Sequence, residues 1–232
     1  MMRTKPIIAI DGPVGAGKST VARGLARELG FSYLNTGAMY RGLAIAAREA
    51  GIDPAAPDLE ARLAPILAAI RINFAGDRLL LGGVDVTERV ADPEIGDLAS
   101  RLSALATVRA RMRDLQRAAG AEGGVVIEGR DIGTVIFPDA EFKFYLDAEV
   151  GVRARRRHAE LVAKGVSISL GEVLEQLRER DARDAGRALA PLKRADDAIV
   201  VDSTALDIPA VINALKERIL SRSGVSKGLK RN

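Results

Sequence analysis

The sequence predicts an α/β protein with a five-stranded parallel sheet and helices on both faces of that sheet. Short apolar segments recur along the chain, and most of them are separated by segments in which apolar residues have helical spacing. This alternation favours parallel strands, because each helix carries the chain back across the sheet. A third observation, glycine-containing turns between short strands near residue 80, predicts a small antiparallel sheet inserted into the core.

Each element of this architecture corresponds to one apolar segment. The core strands are predicted at residues 7–10, 31–34, 125–127, 142–146 and 199–201. Helices are predicted at residues 18–29, 38–50, 149–163, 170–187 and 209–220, and a long helical segment is predicted to follow the insert and to end near residue 121. The insert spans residues 57–100 and holds an amphipathic helix followed by strands at 71–74, 79–81 and 84–87.

The composition is that of a soluble globular enzyme. The 232 residues are 47% hydrophobic and 28% charged, which is enough for one core, at 1–56 and 101–222, plus the insert at 57–100. The absence of cysteine excludes disulfides and thiolate metal sites. No apolar segment approaches the ~20 residues that span a bilayer, and no leader sequence is recognisable, so a cytoplasmic location without membrane contact is expected.

The net charge of +4 is concentrated at the end of the chain. Residues 222–232 contain four basic residues and no acidic residue, so the preceding part of the chain has 31 basic and 31 acidic residues. Binding of nucleic acid without sequence preference requires an uncompensated basic face, and the body of the chain has no net excess. Nucleic-acid binding is therefore not expected, and residues 223–232 are predicted to be a disordered basic tail.

A phosphate-binding motif lies between the first predicted strand and the first predicted helix. Residues 12–19 read GPVGAGKS and match the pattern G-x-x-x-x-G-K-[ST] in full. Its glycines let backbone amides turn towards a polyphosphate, and the helix adds the positive end of its dipole. Lys18 is predicted to reach the β- and γ-phosphates, and Ser19 to bind Mg²⁺. The predicted triphosphate-binding residues are Gly12, Pro13, Val14, Gly15, Ala16, Gly17, Lys18, Ser19 and Thr20.

Arginines near the ends of predicted strands indicate where a phosphate acceptor would bind. Arg41 follows the second strand and Arg130 follows the third. Ligands of parallel sheets bind at the carboxyl ends of the strands, and a guanidinium group can hold two phosphate oxygens at once. For Arg41, an exposed helix position without a role in binding remains an open alternative.

Two further groups of charged residues lie near the end of the chain. On the helix predicted at 170–187, Arg180, Asp184 and Arg187 have the spacing of one helix face, which suits a phosphate and a sugar hydroxyl. An exposed face with weak salt bridges is the alternative. Arginines of the preceding helix predict a mobile lid around residues 153–187 that excludes water from the triphosphate, and solvated charge is the alternative for each. The lid candidates are Arg153, Arg156 and Arg157.

Five motifs in order resemble those of bacterial cytidylate kinases. They are GPVGAGKST, LNTGAMYR, EGRDIGTVIFPDA, ERDARDAGRALAPL and AIVVDST, and the resemblance covers residues 5–220. It implies the fold of P-loop nucleoside monophosphate kinases, with a nucleotide-binding insert and a lid. It also implies a monomer that transfers the γ-phosphate of ATP to CMP or dCMP with Mg²⁺.

The resemblance implies a role for each acceptor-site residue. Lys18, Arg130 and Arg187 are expected to be catalytic. The residues expected to bind CMP are Thr36, Tyr40, Arg41, Ser100, Arg109, Arg130, Asp131, Arg180, Asp184 and Arg187. Within this set the phosphate is assigned to Arg41, Arg130 and Arg187, the pentose to Arg180 and Asp184, and the base to Ser100, Arg109 and Asp131.

The sequence departs from the family pattern at two of these motifs, and two other functions remain open. Thr36 stands where the family often has serine, and Glu128 stands where an aspartate near magnesium is expected. One alternative function is a P-loop kinase for another small acceptor, such as a different nucleotide or a shikimate-like compound. The other is a non-catalytic, ATP-regulated module that binds RNA through the basic tail.

The role implied for Asp131 predicts how base selectivity responds to its loss. The exocyclic amine of cytosine can donate to a carboxylate, whereas uracil presents a carbonyl there, a mismatch of ~2–4 kcal/mol. We expect Asp131→Ala to lower the ratio of kcat/KM for CMP to that for UMP at least ~10-fold, with little change in the KM for ATP. Steady-state kinetics with both acceptors measure this, and an equal loss for CMP and ATP would contradict the role.

Overall fold

The computed structural model describes residue 3 and residues 5–222, which form two compact units. Of these residues, one unit contains those up to Ser32 and those from Gly123 onward, and the other contains Tyr33–Glu122. The second unit contains the whole predicted insert, 57–100, and extends beyond it at both ends. The predicted basic tail at 223–232 lies outside the described residues.

The described elements follow the predicted alternation of strands and helices. The strands are β1 (Ile7–Asp11), β2 (Ser32–Asn35), β3 (Ile72–Ala75), β4 (Arg78–Leu81), β5 (Val84–Asp85), β6 (Val125–Gly129), β7 (Phe142–Asp147) and β8 (Ile199–Asp202). The helices are α1 (Lys18–Leu29), α2 (Thr36–Glu49), α3 (Leu59–Ala69), α4 (Pro93–Leu102), α5 (Ala106–Gly120), α6 (Val150–Ala163), α7 (Leu170–Ala185) and α8 (Ile208–Arg222). Among the helices of residues 3 and 5–222, none is long and apolar enough to cross a membrane.

The main sheet confirms the predicted five strands, in the order β2-β6-β1-β7-β8. The central strand β1 pairs in parallel with β6 and with β7, and β7 pairs in parallel with β8. In this register Asp11 lies opposite Gly129 on one side and opposite Tyr145 on the other. The chain segments that follow Asp11 and Gly129 therefore leave the sheet at the same edge.

The core of the first unit is built on β1, whose five residues are all buried. Val21 and Leu25 of α1 are completely buried. Helix α8 packs against α1 at Gly24, where an added Cβ would lie 2.4 Å from Cδ1 of Ile212. The absence of a side chain at Gly24 therefore allows this close helix contact.

The second unit contains helices α2 to α5 and the predicted antiparallel sheet. Strand β4 pairs antiparallel with both β3 and β5. Helix α2 begins at Asn35, whose side-chain oxygen accepts from the Ala38 amide at 2.9 Å. The core of this unit includes the completely buried side chains of Leu43, Ile45, Leu63 and Ile95.

Three features of the helices differ from the sequence prediction. The long helical segment predicted to end near residue 121 is α5, whereas α4 is an additional helix that begins at Pro93 inside the predicted insert because Asp92 caps it. Helix α7 ends at Ala185, two residues before the predicted end at 187. A five-residue π-helical turn at Ile132–Ile136 was not predicted.

The turn before β6 generates a stability prediction. Gly123 has a φ of +72°, and an added Cβ would lie 2.0 Å from the Lys5 carbonyl oxygen. We expect Gly123→Ala to lower the free energy of unfolding by about 2–4 kcal/mol, through left-handed strain and a backbone clash. Gly30→Ala is the matched control, because Gly30 has a φ of +64° with open space around it, and about 1 kcal/mol is expected. Urea denaturation measures both losses, and equal losses would contradict the clash.

Candidate active site

The phosphate-binding loop connects β1 to α1 and requires glycine at its first position. Gly12 has a φ of +147°, and an added Cβ would lie 2.0 Å from the Leu146 carbonyl oxygen. Gly17, with a φ of +86°, begins α1 without a side-chain cap, and the first turn of α1 contains no acidic residue. The first amides of this helix thus receive no anionic side chain and are suited to bind a phosphate.

Lys18 is buried at the centre of this loop, and its ammonium donates to the Pro13 carbonyl oxygen at 2.6 Å. Burial, with a smaller contribution from the charge of Arg130, lowers the pKa of Lys18 to about 7, although the charges of Glu128 and Asp11 oppose the fall. The ammonium is therefore short of negative partners. A bound phosphate would supply the missing charge.

Ser19 and Glu128 form the other polar contact at the loop. The Ser19 hydroxyl donates to Oε1 of the buried Glu128 at 2.6 Å. Hydroxyl and carboxylate oxygens are ligands that Mg²⁺ prefers, and Mg²⁺ usually takes only one or two protein ligands beside substrate phosphates. The pair fits this chemistry, and residues 3 and 5–222 contain no cluster of three or more His, Cys, Asp or Glu side chains suited to another metal.

Asp184 is a buried carboxylate between two arginines. Its Oδ2 accepts from Nε of Arg130 at 2.9 Å, and its Oδ1 accepts from Nη2 of Arg187. Arg130 comes directly after β6, so this cluster lies at the sheet edge from which the phosphate-binding loop also begins. Two guanidinium groups with one carboxylate between them keep a net positive charge there.

The charges of this cluster decide the ionisation of Asp184. Burial alone would raise the pKa of this carboxyl, but the positive charges of Arg130, Arg187 and Arg180 outweigh burial and lower the pKa below its usual 3.8. Asp184 is therefore ionised at neutral pH. Arg187 reaches it from the turn that follows α7, not from the helix face that was predicted.

The arginines of α6 have internal partners in the structure. Arg153 is buried and donates from Nη1 to Asp181 at 2.6 Å and to the Val14 carbonyl oxygen at 3.0 Å. Arg156 donates to the Ser203 carbonyl oxygen at 2.7 Å, and the more exposed Arg157 pairs with Glu160. Arg153 thus holds the pair of helices α6 and α7 to the phosphate-binding loop, and the predicted lid motion stays a prediction.

Five of the predicted acceptor residues belong to the second unit. Arg41 lies beside Gly96, where an added Cβ would be 3.7 Å from its Nε. Arg109 is buried and its Nη1 donates to the Ser103 carbonyl oxygen at 3.4 Å. The hydroxyl oxygen of Ser100 is buried and has no hydrogen-bond partner in the part of the chain that the structure describes. Thr36 and Tyr40 lie in α2, and the roles of these five residues stay predictions.

One polar residue of this region was missed by the sequence prediction. The carboxylate of Asp11 accepts from the amides of Ile132 and Gly133 at 2.9 and 2.7 Å. Burial raises the pKa of Asp11 to about 6 although both amides and the charge of Lys18 oppose the rise. An acidic residue at the end of an apolar strand, directly before the phosphate-binding motif, was the available signal.

Comparison with known proteins assigns the family. The cytidylate kinase family matches the chain over residues 8–221. The chain belongs to the cytidylate kinase family. It is 47% identical to the cytidylate kinase of Geobacter sulfurreducens, with 96% of each chain covered. It is 44% identical to the cytidylate kinase of Methylococcus capsulatus, with 91% of this chain and 96% of the relative covered.

A solved structure shows the same fold at much lower identity. The chain resembles an uncharacterized protein from Eubacterium ventriosum with a TM-score of 0.50 and 16% identity, over 94% of this chain and 100% of that one. This likeness concerns the α/β fold alone.

The Asp184 cluster generates a prediction about stability. We expect Asp184→Asn to lower the free energy of unfolding by about 3 kcal/mol, because two partly buried guanidinium groups lose their shared counter-charge. Asp58→Asn is the matched control, since Asp58 pairs with Arg62 on the surface with both side chains about half exposed, and little change is expected. Urea denaturation at pH 7 measures both variants.

The pH dependence of this effect follows from the lowered pKa of Asp184. A carboxylate whose pKa is lower in the folded protein stabilises it fully above the unfolded pKa of 3.8 and loses that effect as the pH falls through the folded value. The difference between the wild type and Asp184→Asn should therefore be the same at pH 5 and pH 7. A difference that disappears between these two values would contradict the ion pairs.

Proposed function

We propose that this protein transfers the γ-phosphate of ATP to CMP or dCMP, forming ADP and CDP or dCDP. Membership of the cytidylate kinase family over nearly the whole chain supports the reaction class and the acceptor. The structural observation that carries the proposal is the buried Asp184 held between Arg130 and Arg187, at the sheet edge where the phosphate-binding loop begins. A site for a triphosphate alone would not require this second cationic cluster.

The donor would be bound by the phosphate-binding loop. The amides at the start of α1 would hold phosphate oxygens, and Lys18 would neutralise charge on the β- and γ-phosphates. The lowered pKa of Lys18 supports this role, because the protein itself supplies too little negative charge to satisfy the ammonium. Ser19 and Glu128 would hold Mg²⁺, which when bound neutralises charge on the same phosphates.

The acceptor would be bound by the arginine cluster. Arg130 and Arg187 would hold the acceptor phosphate, whose charge would otherwise repel the γ-phosphate. An oxygen of this phosphate attacks the γ-phosphorus, and the bond from that phosphorus to the bridging oxygen of ADP breaks. The acceptor oxygen is already ionised at neutral pH, so no protein base has to remove a proton. Asp184 would position both guanidinium groups for this step.

The base would be recognised by Asp131, directly after Arg130. Its buried carboxylate would accept from the exocyclic amine of cytosine. Ser100 and Arg109 of the second unit are the further partners that the sequence predicts for the base. We also infer that small nucleotides are the partners of the protein, and that it acts as a cytoplasmic monomer without nucleic acid.

An acceptor panel tests the proposed function. ADP release from ATP is measured with CMP, dCMP, UMP, AMP, GMP and shikimate, and each product is identified by mass. We expect turnover with CMP and dCMP, and a kcat/KM for UMP at least ~30-fold lower, because uracil mismatches the carboxylate that reads the base. Lys18→Ala is the control for contaminating kinases and should lose turnover with every acceptor. Higher kcat/KM for UMP, AMP or shikimate than for CMP would overturn the proposal.

A further inference from the structure

Asp11 connects the donor and acceptor parts of the first unit. It is the last residue of β1, immediately precedes the phosphate-binding loop and is 5% exposed. Its Oδ1 accepts from the Ile132 amide at 2.9 Å and its Oδ2 accepts from the Gly133 amide at 2.7 Å. One carboxylate therefore satisfies two successive amides that are more than 120 residues away in the sequence.

These two amides open the π-helical turn at Ile132–Ile136. The first amides of any helical turn lack partners within the turn, so Asp11 supplies the acceptors that they need. The same turn holds the main chain of Asp131, whose carbonyl oxygen accepts from the amides of Val135 and Ile136 at 2.9 and 3.1 Å. The position of Asp131 is thus determined by a turn that begins on Asp11.

The turn is also held from its other side by Lys143. This buried ammonium donates to the Pro138 carbonyl oxygen at 2.6 Å and to Asp197 at 2.8 Å. At Gly133 an added Cβ would lie 3.2 Å from Cδ of Lys143 and 3.4 Å from Oδ2 of Asp11. There is consequently little room for the start of the turn to shift while Asp11 and Lys143 stay in place.

We propose that Asp11 is a positioning residue for acceptor selectivity, which acts by fixing the turn that places Asp131 against the cytosine base. The inference rests on the proposed function, because it assumes that Asp131 reads the base of CMP. Asp11 touches neither substrate in this assignment. Its effect on selectivity is transmitted by the two amides and by the main chain of Asp131.

The chemistry of the contact requires an ionised carboxylate. Two amide donors need two acceptor oxygens, and an asparagine would place its own NH₂ group against one of them. Burial raises the pKa of Asp11 to about 6, with the charge of Asp131 adding to the rise, so the ionised form is unfavourable for folding. The contribution of the charge at Asp11 is therefore expected in substrate recognition and not in stability.

The phosphate-binding loop has contacts of its own that do not involve Asp11. Lys18 holds the Pro13 carbonyl oxygen, and Arg153 holds the Val14 carbonyl oxygen. Loss of the Asp11 contact should accordingly change acceptor recognition more than ATP binding. A larger change in acceptor recognition than in ATP binding therefore distinguishes the positioning of Asp131 from a loss of order in the whole site.

The test compares Asp11→Asn with a matched control at the opposite end of β1. Glu141 accepts from the Ile7 amide at 2.8 Å, so Glu141→Gln alters the same kind of contact on the same strand. We expect Asp11→Asn to lower the ratio of kcat/KM for CMP to that for UMP about 10-fold, with less than about a threefold change in the KM for ATP. Glu141→Gln should leave the CMP to UMP ratio unchanged. An unchanged ratio in Asp11→Asn, or an equal fall in both variants, would overturn the inference.

A double-mutant cycle tests whether Asp11 acts through Asp131. If it does, Asp11→Asn should lower the CMP to UMP ratio little or not at all in a protein that already carries Asp131→Ala. Independent, additive losses would overturn the inference. Because the cycle compares variants with the wild type, it remains distinct from the acceptor panel: a wild type that does not use CMP contradicts the proposed function itself.

Folding of the variants is checked by thermal unfolding. If Asp11→Asn does not fold, Asp11→Ser is used in its place, because a serine hydroxyl can accept from one amide and introduces no second donor group of the amide type. The same selectivity ratio is then measured. Failure of both variants to fold would overturn the inference, since Asp11 would then be required for the fold.

Discussion

The parallel pairing of β1 with β6 is the constraint on which the site of the first unit depends. Its register places Asp11 opposite Gly129, so the phosphate-binding loop and the Arg130–Asp131 segment leave the sheet side by side. Each strand is short and buried, which makes this register strongly specified by the core. The residues of this unit that we propose to bind the donor and the acceptor are therefore brought to one sheet edge by the strand register.

Buried charge gives this region its chemistry. Asp184 is kept ionised by the arginines around it. Burial instead lowers the pKa of Lys18 and raises the pKa of Asp11, so it favours the neutral form of each of these two groups. Such shifts cost stability unless a ligand or a partner compensates them. A protein that binds two polyanions can hold a buried cation such as Lys18, because the bound phosphates supply the negative charge that the folded chain lacks.

Local sequence patterns predicted the helices and strands well, because the periodicity of a helix or strand depends on residues that are close in the sequence. The apolar segments predicted all five strands of the main sheet, and helical spacing predicted α1 at its observed bounds. The predictions failed where capping or tertiary contacts decide the boundary. Asp92 caps α4, so this helix begins within the predicted insert. Helix α7 ends at Ala185, so Arg187 approaches Asp184 from the segment after the helix. The π-helical turn has no periodicity that a sequence pattern detects.

The sequence by itself determined the nature of the groups at the site: the phosphate-binding motif, the arginines after the strands and the family to which the motifs belong. Only the tertiary structure decided which of those groups share partners. The contacts of Asp11 with Ile132 and of Arg153 with Val14 join residues 121 and 139 positions apart. The physical reason is that a local pattern reports on helix or strand periodicity, whereas contacts between distant residues are set by strand order and register. These contacts require strands that are distant in the sequence to be neighbours in the sheet.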